Sequence, residues 1–356
     1  MYLKVWRVDM NGDCVVVTGA SGYIGSHIVA NLLLKGRNVR ATVRDAGDPE
    51  RVQHLKNMKI SDGGSLEIIE MDLFDSESVD RAISGATDVI HTAAVVIIRS
   101  KEPQSKIVDP SVIGTKNVVS AIEKSESVKR FVHTSSTAAI RPEKWNDGDI
   151  LTTETFAKDA TLELNPYGLA KYSAEMVVRD WHEEIIKERD IKMATIHPCM
   201  VFGPPLSPRH LKGSLSIIMM LVNRELPVLL PMQISIVDVR DVAEAHVRAL
   251  TMGINGGRYL TVGGEMMWNE ISKVLKNEYP KRKWPFRQVP YYLALIVCAF
   301  HPRVSVSWAK RHLKNKLYWN VEPAEKDLQM KWKPIEETII DTIPNILNNN
   351  WDDSKN

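Results

Sequence analysis

The stretch Thr18-Gly19-Ala20-Ser21-Gly22-Tyr23-Ile24-Gly25 lies between a β-branched run, Cys14-Val15-Val16-Val17-Thr18, and a helical pattern of Ile24, Ile28, Val29, Leu32 and Leu33. A strand, a loop with G-x-x-G-x-x-G spacing and a helix, in that order, form the local signature of a dinucleotide-binding turn. Residues without a Cβ let the chain turn tightly and let its backbone approach a pyrophosphate. The helix start then offers free N–H groups and a partial positive charge. Glycine also makes turns that bind nothing, so the flanking strand and helix give the motif its meaning. Gly19, Gly22, Tyr23, Ile24 and Gly25 are the candidate cofactor contacts.

Outward from this loop the alternation continues. Further β-branched runs stand at Val39–Val43, Leu66–Met71, Asp88–His91, Val128–His133 and Lys192–Ile196, with helical patterns between them. Six strands with crossover helices predict an α/β fold, a doubly wound (Rossmann) parallel sheet. After Phe202 the prolines at 204, 205, 208, 227 and 231 break the rhythm. Beyond them the pattern predicts a helix around Val239–Thr251, a strand at Arg258–Val262 and a helix around Trp268–Glu278. The expected organisation is a cofactor domain over 13–202, a smaller α/β substrate lobe mainly over 203–347 that interleaves with it, and a frayed polar tail over 348–356.

Composition narrows the function classes. The chain has 356 residues, 46 Lys plus Arg against 44 Asp plus Glu, and a formal net charge of +2. That balance argues against a dedicated nucleic-acid binder. The three cysteines, Cys14, Cys199 and Cys298, have no metal or redox spacing and fit a reducing compartment, hence a cytoplasmic protein. No His/Cys/Asp cluster has ligand spacing, so no metal is expected. The first twelve residues, with Lys4, Arg7 and Asp9, do not read as a secretory signal. Val289–Phe300 is the most apolar stretch, and twelve residues are too few to span a bilayer. It reads as a buried or groove-lining helix, with a membrane-surface contact as the alternative.

The second strand bears on which dinucleotide binds. An NAD site places Asp or Glu at this strand's end to hold the ribose 2′-hydroxyl. Here Val43 is followed by Arg44, whose guanidinium suits a 2′-phosphate. NADP(H) is therefore expected over NAD(H), with Asp45 keeping the second open and Arg51 a possible further charge. Asp72-Leu73 closes the third strand, where Asp72 could accept from an adenine amino group and Leu73 pack on the ring. An Asp at such a junction is also a common helix cap, a role for which Asp75 competes.

Tyr167 and Lys171 stand four apart at the start of a predicted helix, on one face. An adjacent ammonium is expected to lower the phenol's pKa and so ready it for proton transfer. Upstream, Thr134-Ser135-Ser136 ends the fifth strand, and a serine there could orient a substrate oxygen. The loop, the strand-end serine and the Tyr/Lys pair are specific together, though each is weak alone.

With these motifs the chain resembles the extended short-chain dehydrogenase/reductase superfamily, of the NAD-dependent epimerase/dehydratase type, over nearly its whole length. Further matches are His197-Pro198-Cys199-Met200-Val201-Phe202-Gly203-Pro204, Val237-Asp238-Val239-Arg240-Asp241-Val242-Ala243 and Gly257-Arg258-Tyr259-Leu260. The run Val39–Asp45, and Ser111 where many members carry Asn, look like the dihydroflavonol reductase and cinnamoyl-CoA reductase group. The resemblance implies an NADP-dependent oxidoreductase acting on CH–OH groups. Ser136 rather than Ser135, together with Tyr167, would meet the substrate oxygen. Lys171 would hold the nicotinamide ribose, Pro198 would border the nicotinamide, and Ala93 would line the cofactor. His197 departs from the group's pattern, as do the residues after Ser136 (TAAIRPEKW), and they leave the substrate open.

The expected partner is thus a small carbonyl or alcohol, bound by a monomer or homodimer. Other readings on this fold are a sugar-nucleotide epimerase or dehydratase, a 3β-hydroxysteroid dehydrogenase-like enzyme, and a non-enzymatic NADP sensor. His91 and His133 read as structural or pocket-lining. Met219 and Met220, with Ile217, Ile218 and Leu221, read as core or as the wall of a lipophilic pocket. Trp308, Trp319 and Trp332 read as packing residues.

Overall fold

The structure is a computed structural model that describes residues 13–94, 100–226, 228–300, 306–313 and 315–352. The expectation about the first twelve residues falls outside them, as does the side chain of Trp308. Seven strands make one parallel sheet: β1 (Cys14–Thr18), β2 (Asn38–Val43), β3 (Ser65–Glu70), β4 (Asp88–His91), β5 (Arg130–Thr134), β7 (Lys192–Pro198) and β10 (Gly257–Thr261). Their spatial order is β3-β2-β1-β4-β5-β7-β10, so the direction of winding reverses between β1 and β4. Ligands of doubly wound sheets bind at that reversal, outside the strands' C-terminal ends.

Valine alternation in β1 explains the layers. Val15 and Val17 face one core with Ile28, Leu32 and Leu33, while Val16 faces the other with Val79, Ile122 and Phe131. The first core lies under α1 (Tyr23–Leu34) and α7 (Val239–Thr251). The second lies under α3 (Ser76–Ile83), α4 (Asp109–Lys124) and α5 (Pro166–Ile185). A strand apolar on both faces needs helices on both sides, and the crossovers provide them. The short helix α2 (Pro49–Lys56) follows β2, and Asp75, not Asp72, caps α3 by accepting from Glu77 N at 3.1 Å.

A second core, around Phe202, Ile218, Ile236, Trp268 and Ile343, defines the lobe. Its sheet joins β8 (Met200–Phe202), β9 (Gln233–Asp238) and β11 (Gly264–Met267), with α6 (Leu215–Val222), α8 (Trp268–Glu278) and α12 (Ile335–Asn348). Ile218 and Leu221 of α6 are core, with Met219 packed beside them. Further elements are α9 (Tyr291–Phe300), α10 (Val306–His312), β12 (Leu317–Trp319), which pairs with β6 (Asp149–Leu151), and α11 (Glu322–Asp327). Trp319 Nε1 donates to Ser235 Oγ at 2.8 Å and Trp332 Nε1 to Glu325 at 2.9 Å, both at packed positions.

Three expectations need correction. The strand expected at Arg258–Val262 for the lobe is β10, the seventh strand of the main sheet, running parallel to β7 from Gly257 beside Ala194 to Thr261 beside Pro198. Residues 348–352 are not simply frayed: Trp351 packs on the lobe core and Asp352 accepts from Arg282 Nη2 at 2.8 Å; the rest of the expected tail lies outside the described residues. The apolar stretch at 289–300 is only half covered. Ala294 and Cys298 are buried, but Tyr292, Leu293, Ile296 and Phe300 are exposed.

Candidate active site

Gly19 takes a left-handed conformation, φ 67°, and a Cβ there would lie 2.8 Å from the Ala93 Cα. Glycine is thus required both by dihedral angle and by space. Thr18 brings the Ala93 segment so close: its Oγ1 accepts from Thr92 N at 3.1 Å and Ala93 N at 3.2 Å, and meets His91 Nδ1 at 2.7 Å. At Gly25 a Cβ would collide with the Gly19 carbonyl oxygen, so the helix closes directly on the loop. Helix α1 begins at Tyr23 with no side chain capping its N–H groups and no acidic residue in its first turn. Its orphan donors therefore face the loop, a cradle whose shape and polarity fit a pyrophosphate.

The Tyr23 side chain turns away from that cradle and donates to Gly203 O at 2.8 Å. With His27, which meets Pro204 O at 3.0 Å, it ties the cofactor loop to the chain entering the lobe. His210 closes the other flank, 3.3 Å from Ser21 O. Burial pushes the pKa of His27 down to about 4 and that of His210 down to about 3, so both are neutral at physiological pH.

Arg44 is exposed one residue beyond β2. The Asp45 carboxylate beside it folds back on its own loop, accepting from Gly47 N at 2.9 Å and Asp48 N at 3.1 Å. Arg51 pairs with Asp48 at 3.0 Å. Asp72 is exposed at the end of the third strand, with Oδ1 accepting from Phe74 N at 2.9 Å, and Leu73 packs against Gly114. These residues share the C-terminal edge of β2 and β3.

The other side of the reversal is built around α5. Asn165 caps it, accepting from Gly168 N at 2.9 Å, and Pro166 supplies the preset first turn. This fixes Tyr167 in the first turn and Lys171 one turn later. The stripe Lys171, Ala174, Glu175, Val178 and His182 is buried against the sheet. Ser136, just past β5, interacts with Tyr167, and its Oγ lies 3.5 Å from Pro198 O. Lys171 Nζ donates to Thr134 O at 3.3 Å. Tyr167, Ser136, Lys171 and Pro198 therefore meet at the ends of β5 and β7. The neighbouring Ser135 points away: its Oγ donates to Glu175 Oε2 at 2.7 Å in the buried interior.

The electrostatics differ from the expectation at Tyr167. Burial pushes its phenol up, against the fall expected from Lys171, and the Ser136 hydrogen bond opposes that rise. Lys171 is itself pulled down to about 8 by burial, with Glu175 acting against the fall. The physical reason is that removing a phenolate from water costs more here than the Ser136 hydrogen bond returns.

Glu175, which the motif reading passed over, is the centre of this region. Its carboxylate receives Ser135 Oγ, His197 Nε2 at 2.8 Å and Arg258 Nε at 2.6 Å. Burial alone would raise it, but His197 and Arg258 hold it below the usual carboxylate range. Arg258 also donates to Thr155 O at 3.0 Å and stacks on Phe156, 3.9 Å from the ring centroid. His91 and His133 lie beside this network with rings 5.5 Å apart; burial lowers both, so they stay neutral. The signal for Glu175 was in the sequence: it follows Lys171 by four residues, on the same helix face as Ala174 and Val178. A charged residue at such a position needs partners, and their identity lay in strands far away in the chain.

The profile of the NAD dependent epimerase/dehydratase family matches residues 15–263. The chain belongs to that family. Within it, the chain falls in the dihydroflavonol reductase and cinnamoyl-CoA reductase group. It is 36% identical over 282 residues to cinnamoyl-CoA reductase CAD2 of Medicago truncatula, covering 77% of this chain and 83% of that one. To dihydroflavonol 4-reductase of Callistephus chinensis it is 29% identical, covering 79% and 75%. Among solved structures, the NADPH complex of Gre2 from Candida albicans superposes with a TM-score of 0.74 at 25% identity, covering 94% and 99%. The protein is thus an oxidoreductase of the NAD(P)-dependent reductase type.

Proposed function

We propose that the protein is an NADP(H)-dependent oxidoreductase that interconverts a carbonyl and an alcohol. The observation that supports this most is the meeting of Tyr167 and Ser136 beside Lys171, while Ser135 is committed to Glu175. When bound, the nicotinamide gives or takes the hydride. Tyr167 supplies the proton to the carbonyl oxygen in one direction and takes it from the alcohol in the other. One hydride and one proton added to C=O give CH–OH, so the step balances. Ser136 orients the oxygen by hydrogen bonding, and Lys171 adds positive charge where the phenolate would form.

Arg44 supports NADP(H) over NAD(H). Its guanidinium is exposed just past the end of β2, while the neighbouring Asp45, also exposed, turns its Oδ1 to the backbone of its own loop. The Gre2 neighbour, solved with NADPH, is in keeping with that preference. Loss of NADPH and of NADH, each supplied with a panel of aldehydes, ketones and steroids, tests the reading. NADPH consumed faster than NADH with at least one carbonyl is the expected result. Tight binding of NADPH with no turnover of any of them would overturn it in favour of a sensor.

A further inference from the structure

From 279 to 321 the chain contains nine Lys or Arg and no Asp or Glu, within a protein whose net charge is only +2. This acid-free tract carries α9, whose sequence YYLALIVCAF is apolar on every face. Such a helix is normally enclosed. Here one side packs: Ala294 and Cys298 meet Ala309 of α10, Leu313 just after it, and the chain at Leu230 and Met232. The opposite side is open, with Tyr292 78%, Leu293 52%, Ile296 55% and Phe300 87% exposed. These four positions share one face of the helix. Phe286, 58% exposed, precedes it. Lys281, Lys283 and Arg287 before α9, and Lys310 on α10, are exposed around it.

We infer that this face of α9, with its surrounding cations, docks on an anionic phospholipid bilayer, the helix lying in the plane of the interface. Ten residues of helix are about 15 Å long, half of what a crossing requires. Among the described residues no helix is long and apolar enough to cross a membrane. An apolar strip rimmed by Lys and Arg is the pattern of interfacial binding, where chain burial and attraction to acidic headgroups act together. A second copy of this chain fits poorly as the occupant, since two acid-free basic tracts would face each other. The docking helix pair adjoins the chain that leaves Ser136: Arg311 lies 3.8 Å from Glu143, and His312 packs on Trp145.

The test is co-sedimentation of the full-length protein with vesicles of phosphatidylcholine alone or of phosphatidylcholine containing phosphatidylserine. The expected result is binding to the second and not the first, reversed by high salt. Charge reversal at Lys281→Glu, Lys283→Glu and Arg287→Glu together should weaken partitioning roughly a hundredfold. The combined change Leu293→Ser, Ile296→Ser and Phe300→Ser, at exposed positions and so leaving the melting temperature intact, should weaken it at least about tenfold. Three results would overturn the inference: protein remaining in the supernatant with both vesicles, equal binding to both, or a wild-type dimer in sedimentation velocity that the serine variant dissolves. The last would make the face a subunit contact.

Discussion

The two ends of the proposed site solve opposite problems. At the phosphate end the protein presents backbone: Gly19, Gly25 and the uncapped start of α1, with Arg44 standing in solvent at the rim. At the reaction end it presents side chains whose charges are buried and tied together through Glu175, His197 and Arg258. The first end can be built from one continuous stretch, because shape does the recognition. The second draws on α5, β5, β7 and β10 at once, because a buried charge is tolerable only with partners on several sides. Affinity and chemistry should therefore fail separately when either end is altered.

The largest separation is expected from Tyr167→Phe. It should lower kcat by about a hundredfold to ten-thousandfold, the usual worth of a positioned acid–base group, while NADPH affinity measured by fluorescence titration stays within about twofold. A comparable loss of affinity would mean that the two ends are not independent. Next comes Glu175→Ala, which leaves the buried Arg258 guanidinium without its carboxylate. Urea unfolding should register about 3–5 kcal/mol of lost stability. Arg44→Ala, at an exposed position, should leave that unfolding curve unchanged.

Arg44→Ala should instead weaken NADPH binding by about ten- to a hundredfold, the range for a charged hydrogen bond, and leave NADH binding almost as it was. Equal losses for both dinucleotides would remove the basis for the cofactor preference. The smallest effect concerns pH. Lys171, pulled down to about 8 by burial, loses its proton as pH rises through that value. Its charge is therefore present below about 8, and kcat/KM for the cofactor should decline above it. Glu175 holds that proton on, and His91, His133, His197 and Arg258 also face this region. Glu175→Gln should shift the alkaline limb to lower pH, and an unmoved limb would separate Lys171 from it.

The same contrast explains what could be read in the sequence. The cofactor domain was legible because its elements are local: valine runs, a glycine loop and the helical spacing that follows. Tyr167 and Lys171 were legible for the same reason, being one helical turn apart. The place of β10 was not, since its run at 257–261 carries no mark of which sheet it joins; it pairs with β7, which ends nearly sixty residues earlier. Nor was the Glu175 network, whose partners Ser135, His197 and Arg258 are scattered over the chain. Spacing places Tyr167 one turn from Lys171 but says nothing of the burial that raises the phenol. The exposed side of α9 was equally hidden, since composition shows an apolar helix without showing what covers it.

The central claim is net hydride transfer to a substrate carbonyl with Tyr167 as the proton source. Its most direct test uses NADPH carrying deuterium at the transferred position of nicotinamide C4, with any carbonyl that supports turnover, and mass spectrometry of the product. The account predicts deuterium on the alcohol carbon, one for each NADPH consumed. Product formed with no net loss of NADPH, and with the label retained on the cofactor, would contradict it and point to an internal cycle of the epimerase kind.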